Sequence, residues 1–447
     1  MTRTHLLAAA LLCLGAVPFA HAGALFIVTK TADTADGSCD DDCSLREAVQ
    51  AANALPGPDQ IRLRHAYYAL SITSSAQGES YAGDLDVTDD VTIRGLADRS
   101  TIDANGIDRV IEIPAGVTAE LIDLTLKEGR ASREGGCVRT EGALTLRRVW
   151  VQQCSLFLDI GGVLRGAGIY NLGVLRLVSA RVRDNVALEG LTGGMGGGIF
   201  NGPGAQLYMY DTDVRFNVTG LDDAPGQGAG LFNWGQARID RSFFGWNDPG
   251  GGEGSAMANR HGASLAVFNT TVSGNGHDGA QGAIANGSAN PDVHESASKL
   301  KLHNATIANN NGGGVLNAGR ATVWNTIIAG NYTQDVHDRW YDAGKNCVNL
   351  DGATMNQSAS LIGADGNCPG DISVDNATVF SVVLEHLRYL GGPTPVHNLR
   401  PGPYAIDMGR NDLCPAWDQR RGRRPADGDM NDSEICDIGA MEVGADE

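Results

Sequence analysis

Seven acidic or imidazole side chains and one indole recur at comparable places along the 447-residue chain: Glu189, Asp222, Asp223, Asp248, Glu253, His277 and Asp278, with Trp246 beside them. They fall in or next to stretches of varying length, at 186–195, 218–227, 248–253 and 276–280, with residue 311 alone closing the series. Carboxylates in such number can share calcium or accept hydrogen bonds from sugar hydroxyls, and an indole can stack on a sugar ring. The competing reading is a solvated acidic edge that keeps the protein soluble. A second stretch, Asp427-Gly-Asp429-Met-Asn431, sets oxygen ligands at alternate positions as a calcium loop does. It lacks the glycine at position six and the acid at position twelve, where Ile438 stands, so it is no EF-hand. Calcium is the one cofactor these residues suggest.

Catalysis on an acidic polysaccharide would need more. A hydrolase of that kind clusters carboxylates in N-T-D, D-D and G-H-G segments, in that order. Here Asn269-Thr270-Thr271 lacks the Asp, Asp222-Asp223 precedes it, and Gly276-His277-Asp278 matches only in part. A calcium-dependent lyase sets aspartates beside an Arg or Lys base on a strand face. The repeating strands offer few basic residues in register. The residues favour binding over catalysis.

What positions these residues is a repeat. Glycine-rich turns end in Asn171, Asn201, Asn233, Asn259, Asn286 and Asn317, at steps of 30, 32, 26, 27 and 31 residues. A second asparagine follows in each unit, at 185, 217, 247, 275, 310 and 331, three residues after an apolar one. Between them, apolar residues alternate over short runs, as in Leu175-x-Leu177, Leu265-x-Val267 and Leu300-x-Leu302. Alternation over so few residues means short strands rather than helices. Short strands and turns repeated about every 30 residues wind as a parallel β-solenoid, whose equivalent residues stack into ladders. Asparagine tolerates left-handed corners and pairs amide to amide with its neighbours. The repeated asparagines are therefore expected to be structural, not ligands. Cys154 occupies the asparagine slot of an earlier coil.

Composition narrows the setting. The net charge of −19 lacks the basic face that a nucleic-acid binder needs. Arg3, an apolar run over 6–20 and Ala20-His21-Ala22 read as a signal peptide over 1–22. No later run is apolar enough to span a bilayer, so no transmembrane anchor is expected. Secretion or retention at the cell surface follows, with the periplasm as a further destination. Of nine cysteines, Cys13 falls in the signal peptide, and the rest form four local pairs: Cys39/Cys43, Cys137/Cys154, Cys347/Cys368 and Cys414/Cys436. An even number in an exported chain reads as disulfides.

The ends of a solenoid need covering. Ser44-Leu-Arg-Glu47 is a capping box opening a helix to about Asn53, with Ala48, Val49 and Ala52 on one face. Cys43-Ser-Leu-Arg-Glu-Ala48, with Val49-Gln-Ala-Ala-Asn53, resembles the signature of exported bacterial CSLREA-domain proteins. Gly391-Gly-Pro-Thr-Pro395, Ala405-Ile-Asp-Met-Gly409 and Cys436-Asp-Ile-Gly-Ala-Met-Glu442 resemble the C-terminal choice-of-anchor module of that family. The resemblance implies an all-β, right-handed parallel β-helix and an exported location, without a settled activity. The expected layout is a cap over 23–59, repeats over 60–335 and a disulfide-bonded module over 336–447. The expected function is an adhesin-like scaffold binding polysaccharide or a surface. A polysaccharide lyase or glycoside hydrolase is the alternative, and a purely structural surface protein the third reading.

Overall fold

A computed structural model of the chain describes residues 23–73, 82–96, 99–158, 162–189, 192–277, 279–290, 293, 295–333 and 345–445, except the side chains of Glu189 and Thr192. The expected signal peptide lies outside these residues. In each middle coil three strands follow one another, as in Ile169–Asn171, Val174–Val178 and Arg181–Arg183. Equivalent strands pair in parallel from coil to coil. The first sheet runs from Leu25–Ile27 to Thr354–Ser358 and the second from Tyr67–Ala69 to Ile372–Val374, with twelve strands each. The third has ten strands, from Leu85–Asp86 to Cys347–Asn349. The fold is a parallel β-helix.

The core lies between the three sheets and is built from the alternating apolar positions. On the first sheet Leu177 pairs with Met209, Met209 with Ile239, and Ile239 with Val267, all fully buried. On the second, Val182, Val214, Phe244, Val272 and Ile307 form the matching inward column. Because the side-chain period of a strand is two, a one-residue slip would turn every such column out to solvent.

Polar ladders hold the corners. At the end of the third-sheet strands, Asn171 Nδ2 donates to Asn201 Oδ1 at 2.7 Å, and the pattern continues to Asn349. After the second-sheet strands, amide-to-amide bonds of 2.8–2.9 Å link Asn185, Asn217, Asn247, Asn275, Asn310, Asn331 and Asn346. The backbone amide of Cys154 donates to Asn185 Oδ1, so the cysteine does sit in that slot. A third ladder went unforeseen in the sequence. Thr212, Ser242 and Thr270 each donate a hydroxyl to the carbonyl two residues back, and the backbone amides of Thr212 and Ser242 donate to the next hydroxyl. The side chains that form these three ladders thus satisfy one another inside the stack.

The stacking reaches beyond residues 60–335 on both sides. Leu25–Ile27 pairs with Asp59–Leu63, and Cys347–Asn349, Thr354–Ser358 and Leu361–Gly363 add further rungs at the other end. The expected boundaries followed the glycine–asparagine signal, which fades before the stack does. The cap helix spans Leu45–Asn53, with both hydrogen bonds of the capping box formed. Ala48, Val49 and Ala52 are buried in the core.

All four cysteine pairs are disulfides: Cys39–Cys43, Cys137–Cys154, Cys347–Cys368 and Cys414–Cys436. The placement of one of them is corrected. Cys347 and Cys368, expected to bond the C-terminal module, belong instead to the last rungs of the solenoid. Cys347 is fully buried and opens the last strand of the third sheet. Cys368 is only half-buried, on the turn between Leu361–Gly363 and Ile372–Val374, and packs against the edge of the core. The amide of Asn367 beside it donates to the Cys347 carbonyl at 3.3 Å. This disulfide therefore folds a surface turn over the end of the third sheet, whose last strand among the described residues is Cys347–Asn349.

The C-terminal segment folds back along the outer face of the second sheet. Leu399, Ala405 and Ile438 pack on Ala308, Ile327 and Leu361. Thr271 Oγ1 donates to Gln419 Oε1 at 2.7 Å, and the amide of Ala440 donates to Thr306 Oγ1 at 2.9 Å. Within the segment, Arg424 and Glu442 pair at 2.8 Å with both side chains fully buried.

Candidate functional site

The variable stretches start and finish in register. Val186 bridges to Val218 and Val218 to Asp248, while Met195, Gln227, Glu253 and Gln281 bridge in turn where the stretches end. They therefore emerge on one side of the solenoid, just past the second asparagine ladder. Among the described residues this ridge brings Asp222, Asp248 and His277 together. His277 Nδ1 lies 3.3 Å from Asp222 Oδ1, and both side chains are more than half exposed. Asp248 is half-buried and accepts the amide of Gly250 at 2.9 Å. Burial raises its carboxyl above the usual range and the Asp222 charge adds to this, while the amide bond and His277 oppose it. Asp223 is exposed on the same loop. The backbone of Glu189 is in a two-residue strand; Asp278 lies outside the described residues.

Beside these groups stands an aromatic platform. Phe216 and Trp246 occupy equivalent positions one coil apart, each with positive φ, +55° and +53°. That left-handed bend turns both side chains outward, where each is 40% exposed. Their rings stack at 5.2 Å with 13° between planes, and the edge of Phe243 braces Trp246 at 5.5 Å. Gly274 holds the same position in the next coil. A Cβ there would lie 2.9 Å from Trp246 Nε1, so glycine lets the indole lie over that coil. Arg215, next to Phe216, donates to the hydroxyl of Tyr389, an exposed aromatic of the C-terminal segment. The sequence singled out Trp246 but missed Phe216 and Tyr389. Phe216 was detectable, since it stands immediately before Asn217 as Trp246 stands before Asn247.

One site expectation is corrected. Glu253 does not face the ridge. It ends its stretch by turning to Arg260, which it contacts through Oε2, and its Oε1 accepts from the hydroxyl of Ser288 and the amide of Ala289. The buried guanidinium of Arg260 holds it by a charge-assisted contact and also pairs with Glu295 at 2.8 Å. In the C-terminal acidic stretch Asn431 donates its amide to Asp429 Oδ2 at 2.9 Å. Asp427 and Asp429 gather there with Asp407, one oxygen of each lying within 4.8 Å of the others. Those carboxylates already accept backbone amides: Asp407 from Gly428 and Asp429, and Asp427 from Asn431 and Asp432.

A further carboxylate cluster, Asp84, Asp86 and Glu112, lies at the N-terminal end of the third sheet. It has no prominence in the sequence, because these coils lack the glycine–asparagine signature. Its signal was an Asp-x-Asp followed by Glu one coil later.

Among the described residues no helix is long and apolar enough to cross a membrane. No family model and no curated protein matches the sequence. Among solved structures, pectate lyase Pel9A is similar with a TM-score of 0.49 and 11% identity, over 95% of this chain and 98% of that one. The PL6 family alginate lyase AlyGC gives a TM-score of 0.23 and 12% identity, over 79% of this chain and 54% of that one. Likeness at these levels carries no argument about activity.

Proposed function

We propose that the protein is an exported scaffold that binds polysaccharide through the ridge and its aromatic platform. The observation that carries this is the exposed Phe216–Trp246 stack beside Asp222, Asp248 and His277 on successive coils of a rigid solenoid. Flat aromatic faces pack on the C–H faces of sugars, and carboxylates at their rim accept sugar hydroxyls. Variable loops on a fixed frame are where binding residues usually concentrate. Export is supported by four disulfides, which persist in oxidising compartments. Kinship with CSLREA-domain β-helix proteins belongs to the same reading, supported by the burial of Arg46 and Glu47 in the cap.

Retention on a panel of immobilised glycans tests the reading. Trp246→Ala and Asp222→Asn should each reduce retention while far-ultraviolet circular dichroism stays unchanged. Wild-type retention in both variants, or none by the wild type on any glycan, would move the site to another face. Release of unsaturated uronate or new reducing ends from the same panel would replace the scaffold reading with a lyase or a hydrolase.

A further inference from the structure

We propose that Asp84, Asp86 and Glu112, with Asp108 at the rim, form a calcium site joining two coils of the third sheet. Asp84 and Asp86 flank the inward-facing Leu85, so their side chains leave the same face of the strand. Glu112 sits opposite Asp86 in the register. One oxygen of each of the three carboxylates lies within 4.8 Å of the others. Oxygens bound to a common calcium at about 2.4 Å can be no farther apart than about 4.8 Å. Asp108 lies against Gly83, next to Asp84 in the chain: a Cβ on that glycine would meet its Oδ2 at 2.6 Å.

What points to a ligand, beyond the acids themselves, is Asp84. It is 94% buried, and its Oδ2 is shielded from solvent without a hydrogen-bond partner. A buried carboxylate oxygen left unpaired is costly, and a cation would satisfy it. The backbone holding Asp84 is fixed independently, because Arg46 donates to the carbonyls of Gly83 and Asp84 at 2.8 and 3.0 Å. Nearby guanidinium groups fall short of balancing the charge. Arg109 lies 3.6 Å from both Asp108 and Glu112, and Arg139 divides itself between Glu112 and Glu141. Arg46 is committed to Asp33. An all-oxygen set of carboxylates suits a hard cation, and calcium tolerates the irregular geometry that magnesium does not. The proposal does not rest on the carbohydrate reading.

Calorimetric titration of calcium chloride into the full chain, first stripped with EDTA and dialysed, tests it. Saturable binding is expected, weakened at least about tenfold in Asp84→Asn and in Asp86→Asn. The double variant Asp427→Asn/Asp429→Asn should bind as the wild type does, which assigns the heat to this cluster and not to the C-terminal one. If Asp84→Asn fails to fold, the less buried Asp86→Asn and Glu112→Gln carry the test. The proposal is overturned by absence of saturable binding in the wild type, by wild-type affinity in the folded cluster variants, or by loss confined to the C-terminal double variant.

Discussion

Arg46 and Asp33 form a two-point ion pair inside the protein, Nε to Oδ1 at 2.8 Å and Nη2 to Oδ2 at 3.1 Å, with side chains 1% and 2% exposed. Asp33 also accepts the backbone amides of Ser71 and Ile72. With the Arg46 bonds to residues 83 and 84, the pair joins the cap helix to two separate stretches of the first coils.

Arg46→Ala should therefore destabilise the protein by about 3–5 kcal/mol, since it leaves a buried carboxylate without its cation. Lysine should not rescue it, because an ammonium lacks the planar fork that serves the carboxylate and both carbonyls together. Urea unfolding of the wild type, Arg46→Ala and Arg46→Lys checks this. A loss below about 1 kcal/mol in the alanine variant would contradict the clamp.

Asn275→Ala should cost at least about 2 kcal/mol, as its amide serves both neighbours in the ladder. Nδ2 donates to Asn310 Oδ1 and to the carbonyl of Phe244, while Oδ1 accepts from Nδ2 and the backbone of Asn247. Hydrogen exchange should rise in the coils on either side and stay unchanged in the cap, because each coil leans mainly on its neighbours. Glycan retention lost without any thermal shift would make this asparagine a ligand instead.

His397 should make docking of the C-terminal segment sensitive to acid. Its Nδ1 donates to the carbonyl of Glu385 at 2.7 Å, so Nε2 accepts from the hydroxyl of Ser273 at 2.9 Å. Burial pushes its pKa down to about 4 and nearby His386 adds to this, against the pull of the Glu385 carbonyl. A depressed base favours the neutral ring in the fold. Its contribution is complete above the ordinary value of 6.5 and is lost as pH falls through about 4. Across that window the loss approaches roughly 3 kcal/mol. Unfolding at pH 7 and pH 4.5 should show a smaller difference in His397→Gln than in the wild type, and an equal difference would refute the assignment.

The disulfides should differ in worth according to the loops they close. Cys137–Cys154 spans 17 residues and Cys39–Cys43 only 4. Loop entropy gives about 3 kcal/mol for the first and about 2 for the second. Paired serine replacements, compared by denaturant midpoint, should rank in that order.

The solenoid was legible because its period writes the same residue at the same corner. Asn171 to Asn317 and Asn185 to Asn331 could be aligned by eye. Asn346 could not, because it follows Asn331 by only 15 residues where the earlier rungs are 21 to 35 apart. The pairing of Cys347 with Cys368 was legible from their proximity in the chain, but their place in the stack was not, since that rung follows the broken period. The hydroxyl ladder of Thr212, Ser242 and Thr270 was hidden by the freedom to use serine or threonine, or alanine at 180 and 305, at one corner. Ridge positions followed from register, yet Glu253 turned away because its partner Arg260 is set by side-chain packing that no period encodes. Contacts such as Thr271 with Gln419, 148 residues apart, have no local signal at all.

The return of the C-terminal segment along the second sheet gives the molecule two time scales of assembly. Each asparagine rung closes a span of 15 to 35 residues, whereas Arg421 reaches back 210 residues to Asp211. Short closures form fast and can propagate coil by coil from the cap as the chain emerges, while the long one must wait for the sheet it lies on. Under tension applied at the C-terminal end the order reverses. The clasp takes the load first, through its packing on Ala308, Ile327 and Leu361 and bonds such as Thr271–Gln419, while the stacked coils beneath are held by their own ladders.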